Sequence, residues 1–175
     1  MNKTIFLDRD GVINNTILKD GKPHSPNLVS EFKILPGVVE AINEIKKLEF
    51  LCLVITNQPN VSRGLISKKE IDTMNNIILE KTKVDDFFIC YHDDNDNCNC
   101  RKPKPGLIIE ANKKWKIDFK KSFFIGDRWR DVEAGNLLGI RTIFVDNNYD
   151  EKKPSSPTFK SDSLLNAVKI IKENL

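Results

Sequence analysis

The sequence predicts an α/β fold built on a central parallel sheet, for two reasons. Short apolar runs rich in branched residues alternate with longer amphipathic stretches, and polar residues able to do chemistry recur where those runs end. Five strands are expected, at Thr4 to Leu7, Leu51 to Thr56, Phe87 to Cys90, Ser122 to Ile125 and Thr142 to Val145. Between them the apolar period lengthens to that of a helix. One helix is expected from Val38 to Leu48, behind Pro36-Gly37, and a second from Lys68 to Thr82, opened by a capping box of Ser67 and Glu70. A third runs from Pro105-Gly106 to Trp115, a fourth from Asp131 to Leu138 with Gly139 as its stop, and a fifth from Ser163 to Asn174. The polar stretch from Asn147 to Lys160, with Pro154 and Pro157, reads as a surface connection.

A chain of 175 residues is long enough to bury a real core, and a single domain over residues 1–175 is expected, with no internal repeat. Lysine and arginine total 28 against 25 acidic residues, and no basic run forms an arm or a patch. Nucleic acid and membrane surfaces are therefore excluded as partners, while anionic small molecules remain. The longest apolar stretch, Phe50 to Thr56, is too short to span a bilayer, and the N-terminus carries no signal-peptide pattern, so a cytoplasmic protein is expected, with its oligomeric state left open and a monomer compatible.

Ligands of open parallel sheets bind outside the carboxyl ends of the strands, and the suspect residues gather there. In Phe6-Leu7-Asp8-Arg9-Asp10-Gly11 two carboxylates stand one residue apart at a strand end. A hard cation such as magnesium would relieve their repulsion and could bind a phosphate oxygen as well. Asp8 could then attack phosphorus, and Asp10 could protonate the leaving oxygen and later activate water. Standing alone, the same residues would make an ordinary Asp-Gly turn. Ile125-Gly126-Asp127-Arg128-Trp129-Arg130-Asp131 repeats the theme, offering Asp127 as a further metal oxygen and Asp131 as either a helix-dipole partner or a support for the site. Thr56 and Asn57 offer hydrogen bonds to a phosphate, and Lys102 offers a charge.

A second cluster is Cys90-Tyr91-His92-Asp93-Asp94-Asn95-Asp96-Asn97-Cys98-Asn99-Cys100. Three thiols and one imidazole form a complete tetrahedral set for zinc, and four protein ligands make such a site structural. The fourth cysteine, Cys52, lies in the apolar run Leu51 to Ile55 and reads as a core residue. His24 lies in a Pro-flanked polar loop and reads as a surface or rim residue, and Trp115 and Trp129 as core or rim residues.

The four segments around Asp8-Arg9-Asp10-Gly11, Thr56-Asn57, Lys102 and Gly126-Asp127, in this order, resemble the motifs of the haloacid-dehalogenase-like (HAD) phosphatases over about Ile5 to Val145. The resemblance implies a Rossmann-like three-layer sandwich and an aspartyl-phosphate mechanism. Asp8 would be the nucleophile, Asp10 the general acid/base, and Thr56 and Lys102 the phosphate-stabilising residues. Asp8, Asp10 and Asp127 would hold magnesium. No large insertion separates the motifs, so no separate cap domain is expected and short loops must cover the site.

The loop of Cys90, His92, Cys98 and Cys100, followed by Arg101-Lys102-Pro103, is similar to the zinc loop of the subgroup of heptose-1,7-bisphosphate and histidinol-phosphate phosphatases. Thr56-Asn57-Gln58-Pro59 with Arg63-Gly64 looks more like the heptose enzymes. The short spacing from His92 to Cys98, and Arg128 after Asp127, look more like the histidinol enzymes. The expected substrate is the heptose bisphosphate, with histidinol phosphate as the alternative. Arg101 would recognise substrate, with Asn57, Gln58, Pro59, Arg63 and Arg128 lining the pocket, and the stretch Asp20 to Pro23 aligns loosely with a substrate loop. A zinc-stabilised binding module that has lost its chemistry is the competing class, and the presence of Asp8, Asp10, Thr56, Lys102 and Asp127 together argues against it.

Overall fold

The computed structural model describes residues 1–175. In chain order the strands are β1 (Thr4–Leu7), the hairpin β2 (Ile17–Lys19) and β3 (Lys22–His24), β4 (Leu51–Asn57), β5 (Asp86–Cys90), β6 (Phe123–Gly126), β7 (Arg141–Val145) and β8 (Phe159–Ser161). The helices are α1 (Val38–Lys47), α2 (Lys68–Lys81), α3 (Gly106–Trp115), α4 (Trp129–Asn136) and α5 (Leu164–Glu173). Six strands form one sheet in the order β5-β4-β1-β6-β7-β8, every neighbouring pair parallel. β2 and β3 form a separate antiparallel hairpin.

All four residues of β1 are buried, because helices cover both faces of the sheet, and so after Thr4 the strand reads as an unbroken apolar run. Successive side chains alternate between two cores. Ile5, Leu7, Cys52, Val54, Phe123 and Ile125 pack on the side of α1, α2 and α5. Phe6, Leu53, Ile55 and Phe124 pack on the side of α3 and α4. The result is the expected three-layer sandwich, and Cys52 is the core residue its surroundings predicted, with no exposure.

The differences from expectation lie at element ends. α4 starts at Trp129, two residues early, because the Asp131 carboxylate reaches back to accept the Arg128 amide at 3.0 Å and closes the first turn. The stretch Asn147 to Lys160 is more than a connection: it enters β8, and Tyr149 within it is buried. The hairpin was not expected at all. The Ser67 and Glu70 capping box at the start of α2 is present.

From central β1 the chain builds outward through β4 and β5, then returns to the other side for β6, β7 and β8. The reversal between β1 and β6 leaves a crevice at their carboxyl ends, where Asp8 and Asp127 follow the strands directly.

Candidate active site

Above this crevice lies a cavity of about 250 Å³ with no hydrophobic residue in its wall. β1, β4 and β6 bring Asp8, Asn57 and Asp127 to its floor, and the loop after β5 brings Asp94, Arg101 and Lys102. The hairpin supplies Lys22, Pro23 and His24 at the rim, so His24 is the rim residue its loop predicted.

Lys102 sits at the centre, 2% exposed. Its Nζ donates to the Ile55 carbonyl at 2.7 Å and pairs with Asp8 Oδ1 at 2.8 Å and Asp131 Oδ1 at 2.7 Å. Burial works to strip its proton, but the charges of Asp131 and Asp8 prevail and raise its pKa. Asn57 holds the main chain of Lys102 from both sides, accepting its amide at 3.1 Å and donating to its carbonyl at 3.2 Å. Asp131, expected either at a helix dipole or in support of the site, is buried and does the latter: one oxygen takes Lys102 and the other the Arg128 amide.

Asp8, Asp127 and Asp131 place carboxylate oxygens within 4.8 Å of one another. Burial, then the charge of Asp131, pushes the Asp8 carboxyl up to about 7 against the pull of Lys102. Asp127 is raised well above the usual range by burial and by the charges of Asp8 and Asp131. Both Asp127 oxygens are buried without a hydrogen bond of normal geometry, and the nearby Tyr149 hydroxyl and Arg128 charge only partly offset the rise. Asp8 Oδ1 accepts the Arg9 amide at 2.7 Å as well as Lys102, which leaves its Oδ2 without a donor. Oxygen donors that lack protons to bind, in a buried anionic cluster, fit a hard divalent cation.

The Asp10 carboxylate, expected beside the magnesium, stands apart from this group and is held by hydrogen bonds instead. Its Oδ1 accepts from Asn14 at 2.8 Å and from the Arg9 guanidinium at 3.0 Å, and its Oδ2 from Ser25 at 2.8 Å and Gln58 at 2.7 Å. Burial opposes ionisation, but the Arg9 charge and the bonds from Asn14, Ser25 and Gln58 outweigh it and lower the pKa. Gln58 also departs from expectation: it is fully buried and absent from the cavity wall, and its amide nitrogen joins Asp10 to the Thr56 hydroxyl at 3.0 Å. Thr56 is likewise fully buried and absent from the cavity wall, its hydroxyl accepting the Gln58 amide and keeping its own proton to donate. Pro59, Arg63, Arg101 and Arg128 do line the cavity.

Several residues here were not anticipated. Arg9 is fully buried and is also bonded to Asn75 at 3.2 Å; its place between two acids was the available signal. Tyr149 bonds Thr16 and Asn147, which ties the stretch after β7 to the loop after β1. Glu151 grips Arg128, and Asp94 grips both Arg101 and Arg130. No local pattern announced these partners.

The cysteine and histidine cluster assembles as its spacing predicts. Cys100 Sγ lies 3.2 Å from Cys90 Sγ, 3.4 Å from Cys98 Sγ and 3.2 Å from His92 Nδ1, and Cys90 Sγ lies 3.8 Å from Cys98 Sγ. Thiolates about 2.3 Å from a tetrahedral zinc ion stand about 3.8 Å apart, so only a small expansion separates this cluster from a zinc site.

A family model described as HAD-hydrolase-like matches residues 99–169. A D-glycero-alpha-D-manno-heptose-1,7-bisphosphate 7-phosphatase of Photorhabdus laumondii is 32% identical over 97% of this chain and 96% of its own. A D-glycero-beta-D-manno-heptose-1,7-bisphosphate 7-phosphatase of Helicobacter pylori is 35% identical over 89% of each chain. The crystal structure of D,D-heptose 1,7-bisphosphate phosphatase from B. bronchiseptica, complexed with magnesium and phosphate, matches the fold with a TM-score of 0.85 at 24% identity, covering 99% of both chains.

Proposed function

Because this chain belongs to the HAD-like phosphatases, in the group of the heptose-1,7-bisphosphate 7-phosphatases, we propose that it hydrolyses D-glycero-D-manno-heptose 1,7-bisphosphate to the heptose 1-phosphate in the cytoplasm. The chain is a phosphoric monoester hydrolase. The observation that carries the mechanism is the split environment of Asp8, one oxygen held by Lys102 and the Arg9 amide and the other free.

Asp8 Oδ2 attacks the phosphorus at C7 and forms an acyl phosphate as the bond from phosphorus to the sugar oxygen breaks. Asp10 delivers a proton to that oxygen. Asp10 is ionised in the free site, and a phosphate dianion arriving beside it makes its protonated form favourable. After the sugar leaves, Asp10 takes a proton from water, the water oxygen attacks phosphorus, and Asp8 and inorganic phosphate are released. Lys102, fixed by Asp131 and Asn57, and the Thr56 hydroxyl balance the charge on the transferred group.

While the Asp10 side chain is committed to Arg9, Asn14, Ser25 and Gln58, Asp127, whose two oxygens lack a hydrogen bond of normal geometry, would hold magnesium with Asp8 beside it. When bound, the ion neutralises these acids and polarises the phosphoryl group. Cys90, His92, Cys98 and Cys100 would hold zinc in a closed site that braces the loop leading into Arg101 and Lys102.

The test of this mechanism is Asp8→Asn. Its amide cannot accept a phosphoryl group, so phosphate release should fall at least about a thousandfold while the fold persists. Turnover equal to that of the parent removes Asp8 from the role.

A further inference from the structure

The four arginines at the cavity differ in what they have left to offer a ligand. Arg128 is tied through Nε and Nη2 to both oxygens of Glu151. Arg63 grips Asp93 in the same way, at 2.7 and 2.5 Å. Arg101 spends Nε and Nη2 on Asp94 and Nη1 on the His92 carbonyl. Arg130 makes one side-chain hydrogen bond, from Nη1 to Asp94 Oδ1 at 3.0 Å. Its Nε and Nη2 have no protein partner, and its guanidinium is steadied 4.9 Å from the Trp129 ring.

Asp94 Oδ1 also takes Arg101 Nε at 2.8 Å. Two guanidiniums thus converge on one oxygen, and a single negative charge stands against two positive ones at the cavity wall. A second anion placed beside them would complete the balance. Binding an anion at Arg128 instead would require breaking a bidentate, half-buried pair.

We propose that Arg130, oriented by Asp94 beside Arg101, receives the second phosphate of a bisphosphorylated sugar and sets the preference for bisphosphate over monophosphate. This rests on the reading of the site as a sugar bisphosphate phosphatase. Asp94 acts as a positioning residue, and it lies between His92 and Cys98, so the cysteine and histidine cluster fixes the place from which it orients both arginines.

The test compares the parent with Arg130→Ala, Arg130→Lys and Asp94→Asn on heptose 1,7-bisphosphate and heptose 7-phosphate, which share the transferred group and differ in the second phosphate. Arg130→Ala should lower the bisphosphate-to-monophosphate ratio of kcat/KM by about tenfold or more, with the loss in KM, as expected for one charge-assisted contact. Arg130→Lys should recover part of the ratio, and Asp94→Asn should lower it about threefold, again through KM, consistent with a partly exposed pair. A ratio that does not move in Arg130→Ala, or equal losses on both substrates, overturns the proposal. Should the parent turn over neither heptose ester, the substrate reading fails and not this one. The same variants are then read by inhibition of p-nitrophenyl phosphate hydrolysis with fructose 1,6-bisphosphate against fructose 6-phosphate. The bisphosphate's advantage must shrink about tenfold in Arg130→Ala, and an undiminished advantage overturns the proposal.

Discussion

Gly11→Ala is a one-carbon change whose effect follows directly from the geometry of the acid cluster. Gly11 has φ +86, and a Cβ placed on it would stand 1.8 Å from Asp127 Oδ2 and 2.8 Å from the Tyr149 hydroxyl. Restoring a tolerable 3.0 Å demands a shift of about 1.2 Å, and Asp127 must supply it because Gly11 is anchored between the two acids of its own turn and Val12 in the core. The left-handed backbone adds about 1–2 kcal/mol of strain for a residue with a side chain. For a chain of this size that strain lowers Tm by about 2–8 °C, so the variant should still fold. A displacement of about 1 Å in a group that orders the reacting atoms costs about a hundredfold in rate, so kcat/KM should fall at least that far and the magnesium needed for half-maximal activity should rise. The assays are thermal unfolding and phosphate release across a magnesium titration. An alanine variant within about threefold of the parent at every magnesium concentration would refute the placement of Asp127 against Gly11, or its part in the reaction.

Three further outcomes follow from other parts of the site. The Asp8 carboxyl is held near 7 in the folded chain against an ordinary value of 3.8, so the folded state binds the extra proton between those values. Stability of the chelated protein should therefore fall as pH rises from about 4 to about 7, with Asp127 acting in the same direction, and saturating magnesium should flatten the slope; a chelated Tm that rises across that window contradicts it. Cys98→Ser should leave less than one zinc per chain by elemental analysis and lower Tm and activity together, and unchanged melting with no zinc in the parent counts against the metal site. Gln58→Leu removes the amide joining Asp10 to Thr56 along with a buried amide oxygen that has no partner, so kcat should drop about tenfold with little change in Tm, measured by steady-state kinetics and unfolding.

The strands were legible because both faces of the sheet are covered: Ile5 to Leu7 and Leu51 to Ile55 are apolar throughout, and the polar residues that follow stand out by contrast. The tetrahedral set was legible because its members crowd into one loop. The hairpin was missed since Ile17–Lys19 and Lys22–His24 are mostly exposed and show no alternation, yet Asp20-Gly21 between them, both with positive φ, is the turn pair such a hairpin prefers. Gln58 lies beneath the cavity wall and not in it, and the partners of Asp10 were not foreseen, because a sequence places a residue at a strand end without saying which of several donors its side chain meets. Pairs such as Glu151 with Arg128 and Asp94 with Arg130 join segments 23 and 36 residues apart, and only the folded chain brings them together.

Selection of a bisphosphorylated sugar by this phosphatase is tested most directly by comparing kcat/KM for heptose 1,7-bisphosphate and histidinol phosphate at saturating magnesium. Histidinol phosphate carries a cationic amine into a wall of arginines, whereas the sugar brings a second phosphate to it. An advantage of about tenfold or more is expected for the bisphosphate, the worth of one additional charge-assisted contact. Equal or faster turnover of histidinol phosphate would contradict the substrate assignment.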